Sequence, residues 1–494
     1  YDDEPVLALL RGDDGRLSGL FALARRGPSE LTVVGGRQSE YKAWISEEGQ
    51  GSEFGREAFA ALRRRYPTAT VRLRYLSPGA PTDVFTEGEL GARSTIVTHR
   101  RPVARWSVGG AEAYVRGKKR LRSKLNQLKR MGDVSIDRME DGDIEELLDW
   151  LEPHYDLRMA ALHGSTPFRS DHHKREFTRR LFENRCMYVS TIRVNGEVVA
   201  AHLGVWGRGT VHIGMPAHSP LYSHLSPGSL LLLQIALQAE ADGCSNLDLT
   251  PCARHYQPSD ADRSIPPSLG AICSCGARAA TNYKSRFATA YSDVYEVIVH
   301  ASRYQAVVQR GRRSGRRRLS VALEGLGVEP ARIRELGRGI GRRATASPPA
   351  DPQTMHYPLP TTPSPTHATE VAVDDVASLA EHILGSPARA DTSAADALGR
   401  LDRGERFYSV TSEGSIEYSA WLRPPAGDGD TMTLYDFYAR SEDCSDSTRR
   451  ACIARILADV QAANGVEYLD CVWSGSETVE RSLIEAWCGT SPSA

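Results

Sequence analysis

The stretch that decides the fold spans residues 210–256 and reads TVHIGMPAHSPLYSHLSPGSLLLLQIALQAEADGCSNLDLTPCARHY. It opens with an alternating run at 210–215 that is typical of a strand. Small residues at 226–228 then precede an apolar segment over 229–242, which has the length of a helix. A short strand-like run follows at 246–250. We therefore predict the order strand, turn, helix, strand.

The turn at the start of this helix is the first candidate binding element. The first backbone N–H groups of a helix have no partner within it and can hold a phosphate. Pro227 presets the backbone for a first helical residue, and Gly228 has no side chain to obstruct a ligand. We predict that Ser226, Pro227, Gly228 and Ser229 contact the pyrophosphate of a cofactor, and the alternative is an ordinary helix start.

Elements on the N-terminal side suggest a duplicated α/β unit. Alternating runs at 5–10 and 17–25 flank turn residues and predict a hairpin. A second hairpin is predicted at 187–206 around Asn195-Gly196. Between them, residues 118–130 hold seven cations and no acid, with Leu121, Leu125 and Leu128 at helical spacing. This basic amphipathic helix is either a solvated face or a contact for an anionic substrate or for cofactor phosphates.

Composition marks the domain boundaries. Residues 310–318 contain six arginines and residues 347–366 contain seven prolines, so this region reads as a linker. We predict a first unit at 1–116, a second at 117–300, a linker at 301–370 and a C-terminal unit at 371–494.

The ordered set of motifs resembles a known family. The motifs lie at 120–132, at 195–202, at Ser226-Pro-Gly228 with Leu230 to Leu233, and at Leu247-Asp-Leu249 before Tyr256. Together they look like the GNAT-like acetyltransferases of cellulose and exopolysaccharide biosynthesis, which are similar in fold to the tandem-GNAT Fem-type peptidyltransferases.

The resemblance implies an α/β fold of tandem GNAT-like mixed sheets flanked by helices. It also implies acetyl-CoA or another acyl-CoA as co-substrate at the splayed strands of the second unit, with Ser226, Pro227 and Gly228 near its phosphates. One departure is that Gln257 stands where the family has a lysine after Tyr256, which puts acceptor specificity or activity in doubt.

Acyl transfer from a thioester needs a base for the acceptor, a polarised carbonyl and an acid for the leaving thiolate. Asp248, at a predicted strand end, is a candidate base or acceptor-positioning group, and His212 and His224 are alternative bases. Tyr256 is a candidate acid for the thiolate. Each has a structural alternative: a turn cap for Asp248, and packing for the histidines and the tyrosine. Cys252 as a nucleophile is a weaker possibility, since no base is positioned beside it in the sequence.

The C-terminal unit also resembles a GNAT unit, with predicted strands at 407–410, 415–422, 433–438 and 466–472 and helices at 447–463 and 478–487. Its loop at 441–450 has three acids and no glycine. Acids at that position repel a pyrophosphate, an effect that Arg449 and Arg450 partly offset. We expect a degenerate, non-catalytic unit, and the alternative is a working third site.

The whole chain has 494 residues, a net charge of −1 and 40% hydrophobic residues, which is typical of an ordinary globular protein. It has no apolar run long enough to span a membrane. Nine unevenly spaced cysteines favour a reducing compartment, so we expect a cytoplasmic protein. Cys252, His255, Cys273 and Cys275 lack zinc-finger spacing, and no metal is predicted.

Three functional hypotheses remain open. The leading one is an acyl-CoA-dependent N- or O-acyltransferase acting on a small polar metabolite, a sugar or a cell-envelope precursor. The second is Fem-type transfer of an aminoacyl group from tRNA, the only case in which we expect a nucleic-acid partner. The third is a non-catalytic GNAT-like binding protein.

Overall fold

The structure is a computed structural model in which the chain divides into two compact units, 1–106 with 245–345 and 107–244 with 346–494. The described residues are 3–12, 14–36, 38–77, 79–250, 283–311, 353–359, 371–385, 390–412, 415–426, 429–440, 444–463, 466–473 and 478–488. Elements are numbered below in chain order.

The first compact unit is a mixed sheet covered by a helix. Its strands are β1 (Glu4–Arg11), β2 (Leu17–Arg26), β3 (Glu30–Val33), β4 (Ile45–Ser46), β5 (Thr70–Leu76), β6 (Ser94–Arg105), β11 (Asn246–Asp248) and β12 (Ala290–Val299). Its helices are α1 (Gly51–Arg65), α2 (Gly88–Arg93), α8 (Tyr283–Phe287) and α9 (303–311). The order is β1-β2-β3-β5-β12-β6-β11, with β4 beside β2. Phe54 and Phe59 of α1 lie in one buried cluster with Phe21, Leu73 and Val297.

In the second compact unit, residues 107–244 build an antiparallel sheet with helices. The strands are β7 (Val134–Met139), β8 (Met187–Val194), β9 (Glu197–Gly207) and β10 (Thr210–His218), in the order β10-β9-β8-β7. The helices are α3 (Ala111–Arg116), α4 (Lys119–Met131), α5 (Glu145–His163), α6 (Lys174–Glu183) and α7 (Pro227–Ala241). Asn195 and Gly196 both have positive φ, 51° and 85°, as a type I′ hairpin turn requires. The predicted hairpin is therefore confirmed.

The rest of the second compact unit is a six-stranded mixed sheet in the order β13-β18-β17-β16-β15-β14. Its strands are β13 (Gln353–Pro358), β14 (Ala372–Val373), β15 (Arg406–Ser412), β16 (Ser415–Arg423), β17 (Thr431–Ala439) and β18 (Tyr468–Trp473). Its helices are α10 (Val376–Leu384), α11 (Ala390–Asp402), α12 (Asp446–Ala462) and α13 (Thr478–Cys488). The predicted α/β class, with mixed sheets flanked by helices, is confirmed.

Two features differ from the sequence-based organisation. Residues 353–358, in the predicted linker, form strand β13 along β18, and Tyr357 is fully buried. Pro358 is tolerated because β13 is an edge strand. Leu157 and Ala160 of α5 share a core with Leu379 of α10 and Ala397 of α11, so the C-terminal region packs on α5 within the second compact unit. The four-part division stays a prediction.

Candidate functional site

The N-terminus of α7 is built by an abrupt change of direction after β10. A 3₁₀ turn spans Pro220–Leu225, and Ser226 then adopts a left-handed conformation with φ 55° and ψ 51°. Pro227 is the first helical residue, where the absence of an N–H costs no hydrogen bond. Residues 226–229, the α7 turn from here on, are thus the N-cap and first turn of the helix, which begins two residues before the predicted start at residue 229.

The rest of α7 is buried on nearly all sides. Leu230 to Leu233, Ile235, Ala236 and Ala239 all lie in the interior. A helix that is apolar all round belongs in a core. Its packing holds the axis in place, while Ser226, Gly228 and Ser229 at its first turn stay half-exposed.

The α7 turn offers fewer backbone donors than the sequence predicts. The N–H groups of Ser229 and Leu230 both donate to the carbonyl oxygen of Ser226, at 2.9 and 3.1 Å. Pro227 has no N–H. Only the Gly228 N–H of this turn lacks an acceptor among the described residues, so an anion here needs further donors.

Lys124 of α4 supplies a charged donor. Its Nζ donates to Ser226 Oγ at 2.6 Å, while Leu128, one turn further along α4, is fully buried. The apolar stripe thus anchors the basic helix, and one of its cations reaches the α7 turn. This contact connects two motifs that the sequence shows about 100 residues apart.

A neutral histidine lies beneath the α7 turn. A Cβ at position 228 would be 3.3 Å from His218 Nδ1, so the small residue keeps the imidazole and the helix start in contact. Burial, followed by the charges of Arg158 and His154, lowers the pKa of His218 to about 4. The ring is therefore uncharged at neutral pH and adds no positive charge to the helix N-terminus.

The pairing of strands β9 and β10 is interrupted by a bulge, where a second histidine accepts a backbone hydrogen bond. Their register shifts between His212 and Met215, and a Cβ at Gly204 would lie 2.2 Å from the His212 carbonyl oxygen. The Gly214 N–H donates to His202 Nε2 at 3.3 Å. Since Nε2 accepts, the proton of the neutral ring is on Nδ1, and burial lowers the pKa of His202 to about 3.

Of the two histidines predicted from the sequence, His212 lies at this bulge and His224 lies just before the α7 turn. His212 is half-buried on β10 opposite Val205, and His224 is exposed in the 3₁₀ turn, two residues before Ser226. Sequence reasoning missed His202 and His218. The indication for His218 was its position at the end of a strand shortly before the turn, but the sequence does not show its contact with Gly228.

Asp248 belongs to the first compact unit and is fully buried. Its Oδ2 accepts from Tyr41 Oη and from Arg101 Nη1, both at 2.7 Å. Its Oδ1 accepts from the Thr250 N–H at 2.9 Å. Burial and the charge of Asp248 raise the pKa of Tyr41, so Tyr41 stays a donor. The network gives Asp248 a structural role, and its catalytic role stays a prediction.

The remaining candidates lie outside the described residues: Tyr256, and the cysteines and histidine weighed for zinc, Cys252, His255, Cys273 and Cys275. Within the described part of the chain, no cluster of His, Cys, Asp and Glu could hold a metal ion. In that same part, none of the helices has the length and apolar character needed to cross a bilayer.

A protein-family model matches the region of the chain that contains the α7 turn. Residues 116–258 match the family model of the acetyltransferase (GNAT) domain. This stretch includes Lys124, the β9–β10 bulge, the α7 turn and Asp248. The chain thus carries a GNAT-type acetyltransferase domain, whereas no curated protein matches its sequence.

Solved structures resemble the chain only distantly. L-PGS from Bacillus licheniformis is 11% identical with a TM-score of 0.38, over 61% of this chain and 86% of its own. FemX is 10% identical with a TM-score of 0.36, over 59% and 87% of the two chains. A tandem GNAT protein from the clavulanic acid biosynthesis pathway is 11% identical with a TM-score of 0.22, over 73% and 95%. Similarity at this level identifies neither donor nor acceptor.

Proposed function

We propose that the chain is an acyltransferase whose acyl-CoA donor binds by its diphosphate at the α7 turn. The observation that carries the proposal is the contact of Lys124 Nζ with Ser226 Oγ at the start of a buried helix, inside the stretch that matches the GNAT domain. A lysine ammonium, two hydroxyls and a helix N-terminus together suit a phosphate group.

The residues of this site make different contributions to phosphate binding. Lys124 supplies the positive charge, the Gly228 N–H supplies a backbone donor in line with the helix dipole, and Ser226 and Ser229 supply hydroxyls. The neutral ring of His218 supports the turn from below and positions it. Gly228 leaves room for the phosphate oxygens to approach the backbone.

Transfer itself is an exchange of acyl partners. A nitrogen or oxygen of the acceptor attacks the thioester carbonyl carbon, the new bond forms, the C–S bond breaks, and CoA leaves as a thiolate that takes up a proton. The acceptor proton passes to a base. We propose Asp248, His212 or His224 for the base or for acceptor positioning, and Tyr256 for the proton to sulfur.

The first experiment is calorimetric titration of the full chain with acetyl-CoA and with S-acetyl-pantetheine, which lacks the diphosphate. We expect the pantetheine ester to bind far more weakly. Lys124→Met keeps the aliphatic stem and should weaken acetyl-CoA binding about 10- to 100-fold, since a charge-assisted hydrogen bond contributes roughly 1.5–3 kcal/mol. Lys129→Met, an exposed cation of the same helix, is the matched control and should bind normally. Equal affinities for Lys124→Met and the control would refute the donor site.

The acid-base assignments are tested by measuring the rate at which the free thiol of CoA is released, in the presence of an acceptor that the wild-type protein acylates. Asp248→Asn lowers turnover about 100-fold or more if the carboxylate is a base, but it also disturbs a buried ion pair with Arg101. Melting curves separate the two effects. A loss of turnover without a loss of stability supports Asp248 as the base. A loss of turnover that accompanies unfolding assigns Asp248 a structural role, and His212 and His224 then remain as the candidate bases.

A second candidate, aminoacyl transfer from tRNA, is favoured by one specific observation. Lys119, Arg120, Arg122, Lys129 and Arg130 of α4 are exposed, and within the described residues none of them forms an ion pair. Such a surface suits a phosphodiester backbone, whose binding falls steeply with salt. Tight, salt-sensitive binding of charged tRNA together with no binding of acyl-CoA would replace the first candidate by this one.

The acceptor class follows from the leading hypothesis and is a small polar metabolite, a sugar or a cell-envelope precursor. If neither acyl-CoA nor tRNA binds, the third interpretation, a non-catalytic GNAT-like binding protein, stands instead.

A further inference from the structure

Three arginines share one face of the sheet in the first compact unit. Arg72 and Arg74 alternate with the buried Val71 and Leu73 along β5, so both lie on the face away from the core. Arg26 of β2 lies on the same face, because Ala24 pairs with Thr32 and Thr32 pairs with Arg72. Arg72 and Arg74 are exposed.

A lysine with little exposed surface lies beside the end of β5. The Lys42 N–H donates to the Tyr75 carbonyl oxygen at 2.6 Å, and residue 42 forms a parallel bridge with Leu76 at the end of β5. Lys42 as a whole residue is only 8% exposed. It makes no hydrogen bond or ion pair with any residue that the structure describes. We name Lys42, Arg26, Arg72 and Arg74 the Lys42 cluster.

Carboxylates compensate only part of this charge. Arg72 pairs with Glu296 at 3.5 Å and Arg26 with Asp3 at 3.2 Å. Arg74 contacts the Tyr75 hydroxyl at 3.3 Å and, within the described ranges, pairs with no carboxylate. Burial and the nearby charge of Arg74 lower the pKa of Lys42, and the charge of Glu40 opposes that shift. Two cations, Lys42 and Arg74, are thus left without an ion pair.

The like charges of Lys42 and Arg74 lie close enough to lower the pKa of Lys42, and an anion that binds between them relieves this repulsion. Lys42 and Arg74 each lack an ion pair, although the charges of Glu296 and Glu40 act on Arg74. A pair of such cations matches a dianion better than a monoanion. Arginine binds phosphate through paired donors, whereas lysine acts as a point charge. We propose that the Lys42 cluster is a binding site for the phosphate group of a small molecule, with Lys42 at its base and Arg74 at its rim. This site lies in the first compact unit and is independent of the donor proposed for the α7 turn.

The test uses the full chain carrying Lys124→Met, so that phosphate binding at the α7 turn is weakened. Inorganic phosphate and phenyl phosphate are titrated by calorimetry at constant ionic strength, with benzoate as the monoanionic comparison. We expect phosphate binding that weakens at least tenfold when Lys42→Met is added, and benzoate binding at least tenfold weaker than phenyl phosphate. Arg64→Met, an exposed cation at the end of α1, should change nothing.

Lys42→Met should fold, because an apolar side chain replaces a buried charge of similar length. If melting shows that it does not, Arg74→Met carries the test from an exposed position and should also weaken phosphate binding at least tenfold. Equal phosphate affinity with and without Lys42 and Arg74, or benzoate binding as tight as phenyl phosphate, would overturn the proposal. A failure of acetyl-CoA to bind the wild-type chain bears only on the α7 turn.

Discussion

The α7 turn and the start of α12 occupy the same place in the order strand, turn, helix, strand, but they leave their helix ends in different states. At α7, Ser226 is left-handed and its side chain caps no N–H. At α12, Ser445 has extended backbone angles, and its Oγ accepts from the Thr448 N–H at 3.2 Å. At α7 the Ser226 hydroxyl accepts a hydrogen bond from Lys124, whereas at α12 the Ser445 hydroxyl accepts one from the backbone of its own helix.

The cations at the two helix starts differ in the same way. Lys124 contacts a hydroxyl and keeps its charge uncompensated by any carboxylate of the described residues. Arg449 pairs with Glu480 at 3.2 Å, and the Glu480 side chain is 2% exposed. A helix start with its own cap and a neutralised arginine gains little from a bound phosphate. This contrast supports the prediction that the C-terminal unit is degenerate, a prediction that binding measurements must test.

Arg449→Met should have the largest effect in this comparison and should act on stability alone. Removing one partner leaves the Glu480 carboxylate buried and unpaired, which costs about 3–5 kcal/mol. Urea unfolding followed by circular dichroism measures the loss. Acetyl-CoA affinity should not change while the protein is folded. The double variant Arg449→Met/Glu480→Gln should recover part of the lost free energy of unfolding. If the single variant loses less than about 1 kcal/mol, the ion pair with Glu480 does not hold Arg449 in place.

Acid should lower the free energy of unfolding through protonation of His202, which lies on β9 in the same compact unit as α7. Its pKa is about 3 in the folded protein and about 6.5 when unfolded, so protonation favours the unfolded chain. Stability is fully present above about pH 6.5 and falls as the pH drops toward 3. Between pH 7 and 4.5 the loss from this group is about 2–3 kcal/mol.

His202→Gln is the comparison for that pH series, because the amide oxygen can still accept from the Gly214 N–H but does not titrate. Unfolding free energies of both proteins at several pH values give the result. The wild type should lose stability faster on acidification than the variant. Parallel curves would mean that His202 does not govern acid sensitivity.

The smallest effect separates the two serines. Ser445→Ala should destabilise by about 1 kcal/mol, since it removes an N-cap, and should leave acetyl-CoA binding unchanged. Ser226→Ala should leave the melting temperature nearly unchanged, because this side chain caps nothing, yet weaken acetyl-CoA binding by several-fold. Melting curves and calorimetry of both variants decide the matter. Equal stability losses at the two positions would erase the distinction between the helix starts.

Local patterns were sufficient for most elements of the fold. Alternation along 17–25 and 187–206, the Asn195-Gly196 turn and the small residues before α7 each act over a few residues, and the strands and helix they predict are present. The α/β class followed from the same patterns. The strand at 353–358 was missed because its proline-rich composition is typical of a linker, whereas pairing with β18 and burial of Tyr357 depend on a partner more than 100 residues away.

The sequence by itself determined that a proline and a glycine open an apolar helix and that a basic helix precedes it, because periodicity and backbone preference are local properties. Only the tertiary structure decided which of the cations meets the α7 turn, that His218 lies beneath it, and that Asp248 is enclosed by Tyr41 and Arg101. These contacts join residues from 10 to more than 200 positions apart. Charge and burial at these contacts arise from packing in three dimensions, which local periodicity and backbone preference do not encode.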